Sequence, residues 1–182
     1  MLRFFNKKQT SSDDGAFHDG AYRLHRPEDV ERFSNCVKEV FPQRAHQFQC
    51  FGADWMGRQF AHDSTRNSDG EPQVALLDPV TEEIFEIPCG YREFHEEEII
   101  KYPNETVELD QFKKWLSGGG QRPAYGECVG HKVHLRLGGK DDFANLEISD
   151  LEVYWSVSGQ ILAQLRDVPV GTKINRVDID GQ

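Results

Sequence analysis

Long apolar runs are missing from this sequence: the longest, such as Val74 to Leu77, extend over only a few residues, where a membrane-spanning helix takes about 20. Cysteine is scarce. Cys36, Cys50, Cys89 and Cys128 stand 14, 39 and 39 positions apart with no C-x-x-C pair, so they are expected as reduced, mostly buried thiols and not as a zinc or redox motif. Basic residues are in deficit, 21 against 31 acidic ones for a net charge of −10. That balance argues against a nucleic-acid surface, because binding to the phosphate backbone is driven mainly by Lys and Arg. The first residues, Met1 to Lys8, turn polar at once and contain no apolar stretch of secretory type, so a cytoplasmic protein is expected. Neither G-x-S-x-G nor G-x-x-x-x-G-K-[ST] occurs, which removes the commonest serine-nucleophile and phosphate-loop signatures.

What the sequence has is bulk for one core, with 37% hydrophobic residues including 12 Phe and 3 Trp among 182. Residues 1–20 mix Lys7-Lys8, Ser11-Ser12 and Asp13-Asp14 without periodicity and are expected to form a partly mobile arm, with residues 21–182 as the single domain. Val30, Phe33, Val37 and Val40 recur at helical spacing between Pro27 and Pro42. Two short strands are predicted around a turn at Gly52-Ala53-Asp54, then a polar loop over 66–72, then a hairpin pairing 73–77 with 83–87. Helical periodicity returns after Pro88, with Asn104 as a candidate cap for a helix that Gly118-Gly119-Gly120 ends. Alternation from Cys128 to Leu137 predicts a strand with one wet face, and S-x-x-E at Ser149 to Glu152 predicts the start of a helix, with an extended alternative for 153–157. The sum is an α+β fold, largely an antiparallel sheet with flanking helices.

Candidate chemistry is sparse. His131 and His134 would point to opposite faces of a strand, which spoils joint metal binding; no metal or cofactor is expected. An enzyme would need a pocket converging on His62, Asp63 or His95, and no motif couples them. Asp54 is expected to accept backbone N–H bonds in its turn, with Trp55 and Phe60 in the core; alternatively Asp54 and Arg58 present a charged pair to a ligand.

The stretch Phe51 to Ala61, the segments Leu76 to Pro88 and Phe94 to Glu98, and above all Leu137 to Glu147 with Asp150 to Trp155 together resemble a bacterial immunity-protein family. It is the family named for the Tdi immunity protein of type VI secretion, similar in turn to the SUKH-like immunity folds. The resemblance spans residues 27–170 and implies a protein without catalytic residues that binds and silences a cognate toxin, often a nuclease. An electronegative chain suits that role, since it can be steered to a basic cleft and occupy it. The partner surface would draw on Asp54, Arg58, Glu82, Glu83, Glu93, Glu96, Glu97, Glu98, Asp141 and Asp142, with no nucleic-acid or membrane partner. A small-ligand-binding or regulatory module without a toxin partner is the alternative, and nothing in the sequence sets the oligomeric state.

Overall fold

The computed structural model describes residues 15–169, 172, 174 and 176–180. Six strands form one antiparallel meander in sequence order: β1 Ala16–Phe17, β2 Tyr22–Leu24, β3 Phe48–Asp54, β4 Gln59–Ser68, β5 Glu71–Leu77 and β6 Ile84–Gly90. Between β2 and β3 runs helix α1, Val30–Val40, whose buried Phe33, Val37 and Val40 are the periodic residues of the sequence. After β6 come α2 Tyr91–Glu93, a π-helical turn Phe94–Glu98, α3 Ile99–Lys101, α4 Pro103–Val107 and α5 Leu109–Ser117. A hairpin of β7 Glu127–His131 and β8 Leu146–Asp150 leads into α6, Leu151–Leu165. The architecture is α+β, as expected.

Strand alternation explains why the middle of the sheet is apolar on both sides. Cys50, Ala61, Ala75 and Leu77 face a core shared with α1 and with Trp155 and Leu162 of α6. Phe51, Phe60, Val74 and Leu76 face the opposite core with Phe94, Ile99, Val107 and Phe112. The sheet is thus sandwiched between α1 with α6 and the succession α2–α5. The four-residue run Val74 to Leu77 is a strand buried on both faces, which is why it did not alternate.

Several local expectations are corrected. The turn between β3 and β4 is at 55–58, not at Gly52-Ala53-Asp54, which lies inside β3. Gly52 is there for close approach: a Cβ would sit 2.6 Å from the Tyr22 ring and 2.7 Å from the Arg23 carbonyl. The polar loop expected over 66–72 is mostly strand, with Asp69 and Gly70 at positive φ making the tight turn. The strand expected to reach Leu137 stops at His131. His134 then caps a 3-10 turn, its Nδ1 accepting the Arg136 N–H at 3.2 Å. Residues 153–157 are helical, and the α6 cap is Asp150, which accepts from the Glu152 and Val153 N–H groups, and not Ser149. Asn104 sits within α4, yet its side-chain Oδ1 accepts the Asp110 N–H at 2.9 Å and so caps α5 across the bend. Of the expected N-terminal arm, residues 1–14 lie outside the described residues, while Ala16 and Phe17 pair with Arg23 and Tyr22.

Contact between α1 and α6 depends on Gly159, where a Cβ would meet Glu39 atoms at 2.6–2.7 Å, backbone included. Gly→Ala inside a helix ordinarily gains about 1 kcal/mol. Here Gly159→Ala is expected to lose about 1–3 kcal/mol through overpacking, read as a lowered urea midpoint at unchanged m-value; a raised midpoint would show that the helices can part freely.

Candidate functional site

The turn from Asp54 to Arg58 is built by its own side chains. The Asp54 carboxylate is buried and accepts the N–H groups of Met56 at 3.0 Å and Arg58 at 2.9 Å, and the Arg58 Nε at 2.6 Å. Gly57 takes φ +80°, and a Cβ on it would come within 2.9 Å of Cys128 Sγ. Two indoles clasp the turn: Trp55 Nε1 donates to the Val107 carbonyl at 3.0 Å, and Trp155 Nε1 donates to the Gly57 carbonyl at 2.8 Å. β7 joins in, the Val129 N–H donating to the Trp55 carbonyl at 2.7 Å. Arg58 also reaches Glu108, which holds a left-handed φ of 51° at the junction of α4 and α5. Burial pushes the Asp54 carboxyl up to about 6, against the pull of the Arg58 guanidinium. Burial opposes the charge on Arg58 too, but Asp54 and Glu108 more than offset it and the guanidinium is held protonated. The charged pair is therefore mostly turned inward.

Two adjoining clefts open beside this turn and share Met56, Glu108 and Asp141. The larger, about 340 Å³, is floored by Trp55 and Leu146 and rimmed by Gln111, Asp142 and Phe143. The smaller, about 140 Å³, runs between Arg58, the Asp78 to Thr81 turn, His131 and Tyr154. Asp78 shapes its wall by accepting the Val80 N–H at 2.7 Å and the Thr81 N–H at 3.1 Å. Asp141 is 85% exposed at the mouth, its Oδ1 3.7 Å from His131 Nε2.

The residues singled out in the sequence divide accordingly. Arg58 and Asp141 line the smaller cleft, Asp141 and Asp142 the larger, and Asp54 stands behind Arg58. Glu82 and Glu83 follow Thr81 in the same turn; Glu82 pairs with Arg166 at 3.0 Å. Glu93, Glu96, Glu97 and Glu98 line neither cleft. Glu97 pairs with Lys101. Sequence reasoning missed Asp78, Thr81, Glu108 and Tyr154. Only Asp78-Pro79 carried a signal, as a turn. His131 and His134 are not on one strand, so the expected face-to-face opposition does not arise. Among the described residues no group of three His, Cys, Asp or Glu side chains is placed to hold a metal, and no helix is long and apolar enough to cross a membrane.

Of the residues named for an enzymatic pocket, His62 and His95 come together and Asp63 does not join them. His62 and His95 flank the Tyr91 ring, at 5.3 and 4.2 Å between centroids. His95 Nδ1 donates to the Tyr91 carbonyl and its Nε2 accepts the Tyr22 hydroxyl, both at 2.8 Å. Asp63 is buried, accepts from Thr65, and follows His62 on β4, so its side chain leaves the other face. All four cysteines are free, Cys50, Cys89 and Cys128 buried and Cys36 partly so.

Comparison with known proteins adds the following. Residues 91–162, from α2 into α6, match the family model of the T6SS immunity protein Tdi1, C-terminal, which supports the Tdi-type immunity family. No curated protein matches. Among solved structures, the crystal structure of Atu4351 from Agrobacterium tumefaciens superposes with a TM-score of 0.54 over 80% of this chain and 69% of that one, at 16% identity. That likeness is one of fold.

If the pair of Asp54 and Arg58 is structural, Arg58→Met should destabilise by about 3–5 kcal/mol, because it strands a buried carboxylate. The double variant Asp54→Asn/Arg58→Met should recover part of that loss in chemical denaturation; equal or additive losses would contradict the pairing. His134 gives a pH test. Burial, with the charges of His131 and Arg136, lowers it from 6.5 to about 4. A depressed histidine contributes stability present above pH 6.5 and lost as the pH falls towards 4, because the unfolded chain binds the proton first. His134→Asn keeps an acceptor for the Arg136 N–H, so its stability should fall less steeply than wild type between pH 6.5 and 4.

Proposed function

We propose that this chain is a type VI secretion immunity protein that acts in the cytoplasm by binding a cognate antibacterial toxin and blocking it through stoichiometric contact. The match of residues 91–162 to the Tdi1 C-terminal family carries the reading. The segment so matched supplies one side of both clefts, through Glu108, His131, Asp141, Asp142 and Tyr154. A role without catalysis agrees with side chains that are committed to one another: the Asp54 carboxylate to its turn, His95 to Tyr22 and Tyr91.

Charge supports a toxin with a basic working surface, such as a nuclease. A net charge of −10 steers encounter with a cationic patch and falls in effect as salt rises. The acidic runs at 82–83, 93–98 and 141–142 are the residues proposed to face it. A second reading, a small-ligand or regulatory module, draws on the larger cleft, where Trp55, Met56 and Phe143 offer apolar surface beside Glu108 and Asp142.

Co-expression with the toxin encoded beside this gene is expected to restore growth, and mixing the two proteins to give one complex of fixed stoichiometry by light scattering. Killing that proceeds equally with and without this chain would reject the immunity reading for that pair. Absence of a complex together with a large thermal shift from a metabolite would favour the second reading.

A further inference from the structure

The smaller cleft gathers unmet hydrogen-bonding capacity. Three of the side chains that line it each carry an atom that is shut off from solvent and has no hydrogen-bond partner: Arg58 Nη2, Thr81 Oγ1 and His131 Nε2. The His131 side chain is only 5% exposed. Each such buried group carries an unrepaid desolvation cost unless something meets it. Their roles are set by their neighbours. The His131 backbone N–H donates to Tyr154 Oη at 3.3 Å, which leaves the Tyr154 hydroxyl free to donate to His131 Nδ1 at 3.1 Å. In the uncharged ring the proton then lies on Nε2, which makes that atom a donor. Arg58 has committed Nε to Asp54 and one N–H of Nη1 to Glu108, which leaves Nη2 as its nitrogen without a partner. At 3.7 Å, Asp141 Oδ1 is beyond hydrogen-bonding reach of Nε2.

These donors ask for an oxygen acceptor, yet the charge refuses an anion: one guanidinium stands against the carboxylates of Asp78, Glu108 and Asp141. A group that accepts at one end and donates at the other satisfies both demands. A carboxamide does so, with its oxygen accepting from Arg58 and His131 and its NH₂ donating to Thr81 Oγ1 and a carboxylate. A space of about 140 Å³ admits a side chain and not a length of backbone. Outside it, Asp141 and Asp142 are exposed and Phe143 is 43% exposed, which suits a cationic, partly apolar flank.

We infer that this cleft is the anchor pocket of the partner-binding surface, taking an Asn or Gln side chain from a loop of the partner protein while a neighbouring Lys or Arg pairs with Asp141 and Asp142. The inference rests on the reading that the chain binds a protein partner, and it places the anchor at the cleft and not at the acidic run 93–98.

Two measurements test it. In ¹H–¹⁵N spectra of the full chain, propionamide, the end of a Gln side chain, should shift the Thr81 and His131 signals with saturation, propionate should not, and Thr81→Val should reduce the response. No response to propionamide, or an equal response to propionate, overturns the pocket's chemistry. By calorimetry with the toxin encoded beside this gene, Thr81→Val should weaken binding about tenfold, as expected for one lost hydrogen bond in a desolvated site. Asp141→Lys should weaken it further with a smaller salt dependence, and Glu96→Lys should change it little. Wild-type binding with Thr81→Val and Asp141→Lys unaffected overturns the anchor while leaving toxin binding intact; no binding by wild type removes both.

Discussion

The organisation of this protein depends on one carboxylate placed where four elements meet. Asp54 ends β3, caps its own turn through the Met56 and Arg58 N–H groups, and fixes Arg58 by its guanidinium. Because the turn is rigid, its carbonyls become anchors for distant parts of the chain: Gly57 for Trp155 of α6, Trp55 for Val129 of β7. Trp55 returns the favour by donating to Val107, where α4 gives way to α5. A buried ion pair is poor evidence of net stabilisation, since desolvation offsets its attraction. What it supplies here is uniqueness of arrangement, because Arg58 can satisfy Asp54 and Glu108 together only if the sheet and the succession α2–α5 sit in this register.

Much of this fold was legible wherever one periodicity dominated. Phe33, Val37 and Val40 predicted α1, and the run 73–77 facing 83–87 predicted the β5–β6 hairpin. Asp54 was read correctly as a turn-capping side chain. The turn itself was misplaced because small residues carry two meanings. Gly52 looked like a bend, but its bareness is demanded by the Tyr22 ring and the Arg23 carbonyl across β2, a contact between residues 30 apart in sequence. The alternation from Val133 to Leu137 imitated a strand for a similar reason. Local pattern cannot reveal that His134 has its own ring nitrogen aimed at the Arg136 N–H, an arrangement that closes a 3-10 turn in place of a ladder.

The candidate site was legible in part and unevenly. Arg58, Asp141 and Asp142 stood out by charge, and they do meet at the clefts. Glu108 and Thr81 carried no signal, since their importance comes from where α4–α5 and the β5–β6 turn are placed around Arg58. Glu93, Glu96, Glu97 and Glu98, which stood out by charge as well, line neither cleft. The family match covers residues 91–162, the segment that brings Glu108, His131 and Asp141, while Arg58 and Thr81 come from the sheet. The smaller cleft thus has one wall inside the matched segment and one outside it.

That division separates two physical tasks in recognising a partner. Exposed carboxylates such as Asp141, 85% accessible, are well solvated before binding, so they lend long-range attraction that salt screens and add little to affinity. Buried donors without acceptors behave oppositely. Arg58 Nη2 and His131 Nε2 exert no pull at a distance, but a partner that meets them removes a standing cost, and one that does not leaves them stranded. If the partner is basic, as proposed, charge of the kind that fills this sequence would govern how quickly it arrives. On the proposed reading, discrimination among arrivals would fall to the few polar atoms without partners beside the cleft.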